Sequence, residues 1–112
     1  MKDGEAVGPF GVMGAFMQPQ GHVQVIVNTV DYHMNPQEAL DAPRVQWIGD
    51  KHIQLEREVS REIAAALAGM GHEVEVIDDR INMGRGQIIW RTDKGLLIGG
   101  TEPRCDGTVA AW

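Results

Sequence analysis

Few side chains in this sequence have the type and surroundings to start a reaction. Ser60 is the only serine. It stands just ahead of a run with helical periodicity, where a hydroxyl serves as an N-cap for free backbone N–H groups. Cys105 is the only cysteine. A catalytic cysteine needs a positioned base and a lowered pKa, and its turn-rich neighbourhood supplies no histidine. The four histidines, His22, His33, His52 and His72, have neither i, i+4 helical spacing nor a cysteine pair, so they do not read as a metal site. Asp78 and Asp79 are adjacent, yet no third ligand accompanies them, and they read as solvated loop charge. Gly84-Arg85-Gly86 is a GxG without the rest of a dinucleotide fingerprint, and no GxxxxGK(S/T) phosphate loop is present. These residues yield no catalytic side-chain set, no metal site and no cofactor-binding site.

Backbone chemistry leaves one candidate. Gly11-Val12-Met13-Gly14-Ala15 ends a short apolar run with small residues, directly ahead of a helical pattern. Small residues let a substrate approach the main chain closely. N–H groups at such a turn can point at a developing oxyanion.

The elements that would hold this turn follow from periodicity. Asp3-Gly4 is a turn signal, and Phe10 to Met13 reads as a buried strand. Met17 to Gly21 reads as a loop or a helix start. His22 to Tyr32 fits both periods, but its length and the polar face of Gln24, Asn28 and Asp31 favour a helix, with Val23, Ile26, Val27 and Val30 on its apolar face. Asn35-Pro36-Gln37-Glu38 carries a cap, an N1 proline and a capping-box acid. That helix stops at Pro43. Residues 44–48 and 52–56 read as a hairpin about Gly49-Asp50. Ser60 to Met70 is a helix closed by Gly71. Residues 74–77, 86–91 and 96–99 read as three strands, the last two joined at Thr92-Asp93-Lys94-Gly95. The order predicts an α/β (α+β) fold, helices packed on a mostly antiparallel sheet, in a single domain over 1–112. The dispersed methionines and Trp47, Trp90 and Trp112 read as core packing.

Composition narrows the function further. The chain has 112 residues, 43% apolar and 23% charged, with a formal net charge of −6. That is globular composition. An acidic balance argues against nucleic-acid binding, which needs clustered Lys and Arg. No apolar run is long enough for a membrane span, and a lone cysteine forms no internal disulfide.

Three segments in order carry a resemblance. Gly11 through Gln24, containing Gly14-Ala15 and Met17-Gln18-Pro19-Gln20, is similar to a signature of γ-glutamyltranspeptidase-like proteins. Asn35 to Ala39 with Asp41-Ala42-Pro43-Arg44 resembles a second family segment, and Glu102-Pro103-Arg104-Cys105-Asp106-Gly107 resembles the family's ending. The resemblance runs from about residue 4 to Trp112. It implies an N-terminal-nucleophile hydrolase with an αββα core, made by self-cleavage of a precursor in front of a threonine. That threonine attacks γ-glutamyl amides, typically glutathione, and passes the acyl group to water or an amine; some relatives act on glutaryl side chains. No metal or organic cofactor is implied.

The resemblance also implies what to expect of this chain. Thr29, Thr92, Thr101 and Thr108 are its threonines, and none lies in the family's nucleophile setting. The chain therefore reads as the C-terminal part of the small subunit, inactive alone, with the rest of that subunit and the large subunit as partners. A sheet face or edge should be left uncovered, favouring self-association. The family's oxyanion pair falls on Gly14 and Ala15, and a methyl at Ala15 should oppose positive φ. The alternative is a stand-alone, non-catalytic binding or assembly domain of the same fold. An unrelated α/β domain is excluded if strands 10–13, 86–91 and 96–99 share one sheet.

Overall fold

A computed structural model describes Met1 and residues 3–112. Its elements run β1 (Phe10–Met13), α1 (Met17–Val30), α2 (Pro36–Asp41), β2 (Val45–Gly49), β3 (His52–Glu56), α3 (Arg61–Gly69), β4 (Glu73–Ile77), β5 (Arg85–Arg91) and β6 (Leu97–Thr101). This is the order read from the sequence. The strands do not form one sheet as expected. They form two three-stranded sheets, β1-β5-β6 and β2-β3-β4. The first is antiparallel throughout, and it unites the three strands whose pairing was diagnostic. In the second, β2 and β3 form the anticipated hairpin, while β3 and β4 run parallel. Parallel strands need a long crossover, and α3 supplies it.

Glutamine side chains occupy one edge strand of each sheet. Gln24 donates to the carbonyl of Val45 at 2.8 Å and accepts from its N–H at 2.9 Å. Gln20, one turn earlier, does the same for Trp47 at 3.0 and 2.7 Å. A primary amide presents one donor and one acceptor side by side, so each glutamine mimics a strand neighbour and satisfies an open edge. Gln37 repeats the device on Thr101 of β6, at 2.9 and 3.0 Å.

The helix over His22–Tyr32 begins earlier, at Met17, and buries a different face. Its buried residues are Met17, Gly21 and Val25, whereas Val23 and Val30 are 60% and 62% exposed. Gly21 decides the rotation. A Cβ there would lie 2.6 Å from Val12 Cγ1, so only glycine lets α1 lie on β1. The core beneath is Val12, Val25, Ala39, Leu40 and Ile88. Of the aromatic and methionine anchors expected inside, Met17 and Met83 are buried and Trp90 packs against the core. Trp47, Trp112, Met13 and Met70 are exposed. β1 is likewise buried only at Val12.

Alternation along β1 and β5 turns Val12, Gly86 and Ile88 inward and Met13, Gln87 and Ile89 outward. Met13, Ile89 and Leu97 of this outward side are exposed apolar residues, so the expectation of an uncovered sheet face holds.

Four charged side chains join the two sheets. Arg44 precedes β2, Glu56 ends β3, and Glu102 and Arg104 follow β6; their side chains are at most 2% exposed. Arg44 Nη2 meets Glu102 Oε2 at 2.7 Å, and Arg104 Nη1 meets Glu102 Oε1 at 2.6 Å. Arg104 also binds Glu56 through Nε and Nη2 in a bidentate pair. Further lone pairs and protons are used as well. Glu56 accepts from Arg44 N–H at 2.9 Å, and Glu102 accepts from Gly86 N–H at 2.6 Å. Arg44 Nη1 donates to the carbonyls of Met83 and Gly84 at 2.9 and 3.0 Å. Arg104 donates to the carbonyls of Leu40 and Ala42, at 2.8 and 3.0 Å, at the C-terminal end of α2. A cation there also complements the helix dipole.

Two guanidinium and two carboxylate groups cancel formally, and each makes several hydrogen bonds, with all five donors of Arg104 used. Both conditions are needed for charges withdrawn from water. The two arginines respond differently. Burial, followed by the like charge of Arg104, lowers the pKa of Arg44. Burial also pulls on Arg104, but its hydrogen bonds to Glu56 and Glu102 outweigh this and raise its pKa. Arg104 thus has two carboxylates against Arg44's one direct partner.

Removing one charge from this set leaves the others uncompensated, at a cost of about 3–5 kcal/mol. The variant Glu102→Gln is expected to lose that much unfolding free energy in a urea titration followed by circular dichroism. An unchanged midpoint would show that the quartet is not a stabilising unit.

Candidate active site

The Gly14-Ala15 turn lies where β1 ends and α1 begins, and glycine contacts fix its shape. Gly14 has φ 152°. A Cβ on it would stand 2.9 Å from Gly84 Cα and 3.1 Å from Met17 Cβ. Gly84, itself at φ 80°, has no more room, since its own Cβ would lie 2.8 Å from Val12 Cγ1 and 3.0 Å from Met13 O. Two glycine backbones therefore abut under the turn. Its carbonyls point into the helix, Gly14 O accepting from Met17 N–H at 2.8 Å and Ala15 O from Gln18 N–H at 3.0 Å.

The turn's own N–H groups are left over. Among the described residues, the amides of Gly14 and Ala15 have no hydrogen-bond partner. The start of α1 reinforces them. Phe16 at the N-cap offers no side-chain bond, and the first turn holds no acidic residue. The positive end of the helix dipole is thus uncompensated at the same place. Ala15 is exposed and adopts φ 49°. The expected opposition of its methyl to positive φ is overcome here: the left-handed conformation costs about 1–2 kcal/mol, and the surrounding turn imposes it.

The other residues singled out in the sequence are not brought together. Ser60 caps α3, accepting from Ile63 N–H at 3.3 Å. Cys105 is a half-buried free thiol near Glu102 O. His22 is held on α1, its Nδ1 2.6 Å from Gln18 O and its ring 5.4 Å from that of Phe10. His52 pairs with Glu75 at 3.2 Å on the second sheet. His33 and His72 are exposed loop residues. Asp78 meets Arg57 at 3.0 Å, and Asp79 accepts from Ile81 N–H. Among the described residues, no group of histidine, cysteine, aspartate and glutamate could hold a metal ion.

Gly84-Arg85-Gly86 has a structural explanation that periodicity alone did not reveal. Gly84 O receives Arg44, and Gly86 N–H donates to Glu102. A Cβ at Gly86 would lie 2.5 Å from Leu40 Cδ2. The sequence reading missed the quartet. Its one signal was the placing of Arg44, Glu102 and Arg104 inside the resembling segments, which the fold brings into contact.

This architecture recurs in known proteins. A family model described as gamma-glutamyltranspeptidase matches residues 1–112. The chain belongs to the gamma-glutamyltranspeptidase family. It is 36% identical over 111 residues to the Acylase ACY 1 proenzyme of Pseudomonas sp. strain SE83, covering 99% of this chain and 19% of that protein. It is 33% identical over 106 residues to the Glutathione hydrolase-like YwrD proenzyme of Bacillus subtilis, covering 89% of this chain and 20% of the relative. Among solved structures, a cephalosporin acylase from Bacillus halodurans superposes with a TM-score of 0.97 at 57% identity, over 100% of this chain and 21% of that one. A gamma-glutamyltranspeptidase from Pseudomonas nitroreducens superposes with a TM-score of 0.84 at 26% identity, over 100% of this chain and 58% of that one. The chain thus spans about a fifth of the length of the curated relatives it matches. Its helices and mainly antiparallel strands are those of the N-terminal-nucleophile hydrolase fold of these relatives.

The turn makes opposite demands at adjacent positions. Ala15→Gly removes the left-handed strain and adds unfolded-state entropy, for a net gain of about 0.5–1 kcal/mol. Gly14→Ala must displace the Gly84 backbone and is expected to cost about 1–3 kcal/mol. Urea midpoints moving in these opposite directions are the expected result; a loss on Ala15→Gly would show that the methyl makes a needed contact.

Proposed function

We propose that this chain supplies the oxyanion-stabilising turn of an amide-bond hydrolase or acyltransferase that acts through an N-terminal threonine lying outside these 112 residues. The observation that carries the reading is the pair of unpartnered N–H groups at Gly14 and Ala15. They are held rigid by the abutment with Gly84 and sit at the uncompensated start of α1. When a nucleophile adds to an amide carbonyl, negative charge collects on the oxygen. Fixed donors stabilise that charge without reorganising, and loss of one donor typically costs about 100- to 1,000-fold in kcat. The donors are main-chain groups, so alanine in the second position supplies its N–H as glycine would.

Threonine acts as the nucleophile in this scheme when its own α-amine accepts the hydroxyl proton. The acyl-enzyme then passes its acyl group to water or to an amine. The substrates favoured by family membership are γ-glutamyl amides such as glutathione, or glutaryl amides. The relatives named as glutathione hydrolases and acylases support that range. The partners in this reading are the remainder of the small subunit and the large subunit. The outward face bearing Met13, Ile89 and Leu97 is where the first of these would pack.

A chimera tests the proposal. This chain replaces the equivalent part of the Bacillus halodurans cephalosporin acylase, and release of p-nitroaniline from γ-glutamyl- and glutaryl-p-nitroanilide is followed. The expected result is a self-cleaved enzyme with turnover of at least one substrate. A soluble, cleaved chimera that turns over neither would remove the assignment of the turn and leave a binding or assembly module.

A further inference from the structure

We infer that the free edge of β4 is a docking site for an extended segment of a separate protein, one whose side chains alternate between basic and apolar. β4 lies last in its sheet and pairs only with β3. Glu73 N–H turns toward β3 and donates to the carbonyl of Lys51 at 2.9 Å. Main-chain groups alternate in direction along a strand, so Val74 and Val76 turn their N–H and C=O groups to the open side. Among the described residues, nothing on that side bonds to them. Glutamine side chains close the edges of β2 and β6, and no such clamp reaches β4. The apolar layer at this edge is also unfinished. Val74 and Val76 stand opposite Ile53 and Leu55 in the register. Ile53 and Leu55 are buried, whereas Val76 is 58% exposed. The crossover helix α3 buries none of its residues, and its Ile63 is exposed. One more strand would satisfy the free main-chain groups and carry the core outward over Val76.

The opposite face of β4 selects which strand can join. Glu73 and Glu75 lie on that face and are exposed. Glu75 Oε2 is 2.8 Å from Gln54 Nε2 and 3.2 Å from His52 Nε2. Among the described residues, Glu73 takes part in no ion pair. A joining strand sets every second side chain beside these two carboxylates and the others beside Val74 and Val76. Opposite charges on neighbouring strands attract and like charges repel. Lys or Arg therefore suits the first set and an apolar residue the second, whichever way the incoming strand runs. A second copy of β4 would bring its own glutamates against these. The same charges that attract a basic strand thus oppose self-pairing.

The test titrates the 112-residue chain, labelled with nitrogen-15, with the capped peptide Lys-Val-Lys-Val-Lys or with Glu-Val-Glu-Val-Glu. The expected result is that the lysine peptide shifts the amides of Val74 and Val76 and slows their exchange with solvent. The glutamate peptide should bind about tenfold more weakly, since two exposed cross-strand pairs change from attraction to repulsion. The double variant Glu73→Lys and Glu75→Lys should reverse that order. Silence at Val74 and Val76 at the highest soluble peptide concentration would overturn the site. Equal responses to the two peptides would overturn the basic partner. Protection of both amides that grows with chain concentration, without peptide, would show a second copy on the edge and also overturn it. The same protection in the chimera with the Bacillus halodurans acylase, again without peptide, would show that the larger protein closes this edge itself and leaves no docking site.

Discussion

Two carboxylates between two guanidinium groups, all out of water, set the constraint on which the rest of this fold depends. Glu102 lies between Arg44 and Arg104, and Arg104 reaches on to Glu56. These residues come from the start of β2, the end of β3 and the segment after β6, so the cluster spans both sheets and the end of α2. A buried ion pair is not stabilising as such, because desolvation can exceed the Coulomb gain. What the quartet provides is a single arrangement in which every charge is satisfied. A shift of one sheet against the other would leave a bare charge in the interior. Relative position is thereby specified, in a chain whose apolar core is small.

That specification reaches the candidate site through a short path. Arg44 grips the carbonyls of Met83 and Gly84. Gly84 lies against Gly14, with no space for a Cβ on either. Met17, at the start of α1, is fully buried and touches the same glycines. The turn that offers two free N–H groups is therefore braced from below by the ion cluster and from behind by the helix. Oxyanion stabilisation depends on such bracing, since donors that must reorganise lose most of their value. The glutamine clamps act in parallel. They close the edges of β2 and β6 with side-chain amides and so hold α1 and α2 on their sheets.

Much of this was legible in the chain, and the remainder was hidden for physical reasons. Capping chemistry was local and read correctly: Asn35 with Glu38 forms the anticipated capping box, and Ser60 caps α3. Strand order followed from period and turn residues. The buried face of α1 was misread because Val23, Ile26 and Val30 are more apolar than Gly21, yet close approach to Val12 outweighs side-chain hydrophobicity. The edge bonds of Gln20, Gln24 and Gln37 were not legible, since a glutamine looks the same in sequence whether it faces solvent or a strand edge. The quartet was invisible to periodicity because Arg44 and Glu56 are 12 residues apart and Arg44 and Arg104 are 60 apart. The turn at Gly14 and Ala15 was found from residue size, while its rigidity required the Gly84 contact to be seen.

The most direct test of the central claim is native-state hydrogen exchange at two amides, Arg44 N–H on Glu56 and Gly86 N–H on Glu102. If the quartet breaks only when the whole chain unfolds, both should exchange with an opening free energy equal to the global unfolding free energy from denaturant titration. Exchange of either amide through a local opening about 100-fold more frequent than global unfolding would contradict the account. It would show that the cluster loosens on its own and cannot be what holds the turn in place.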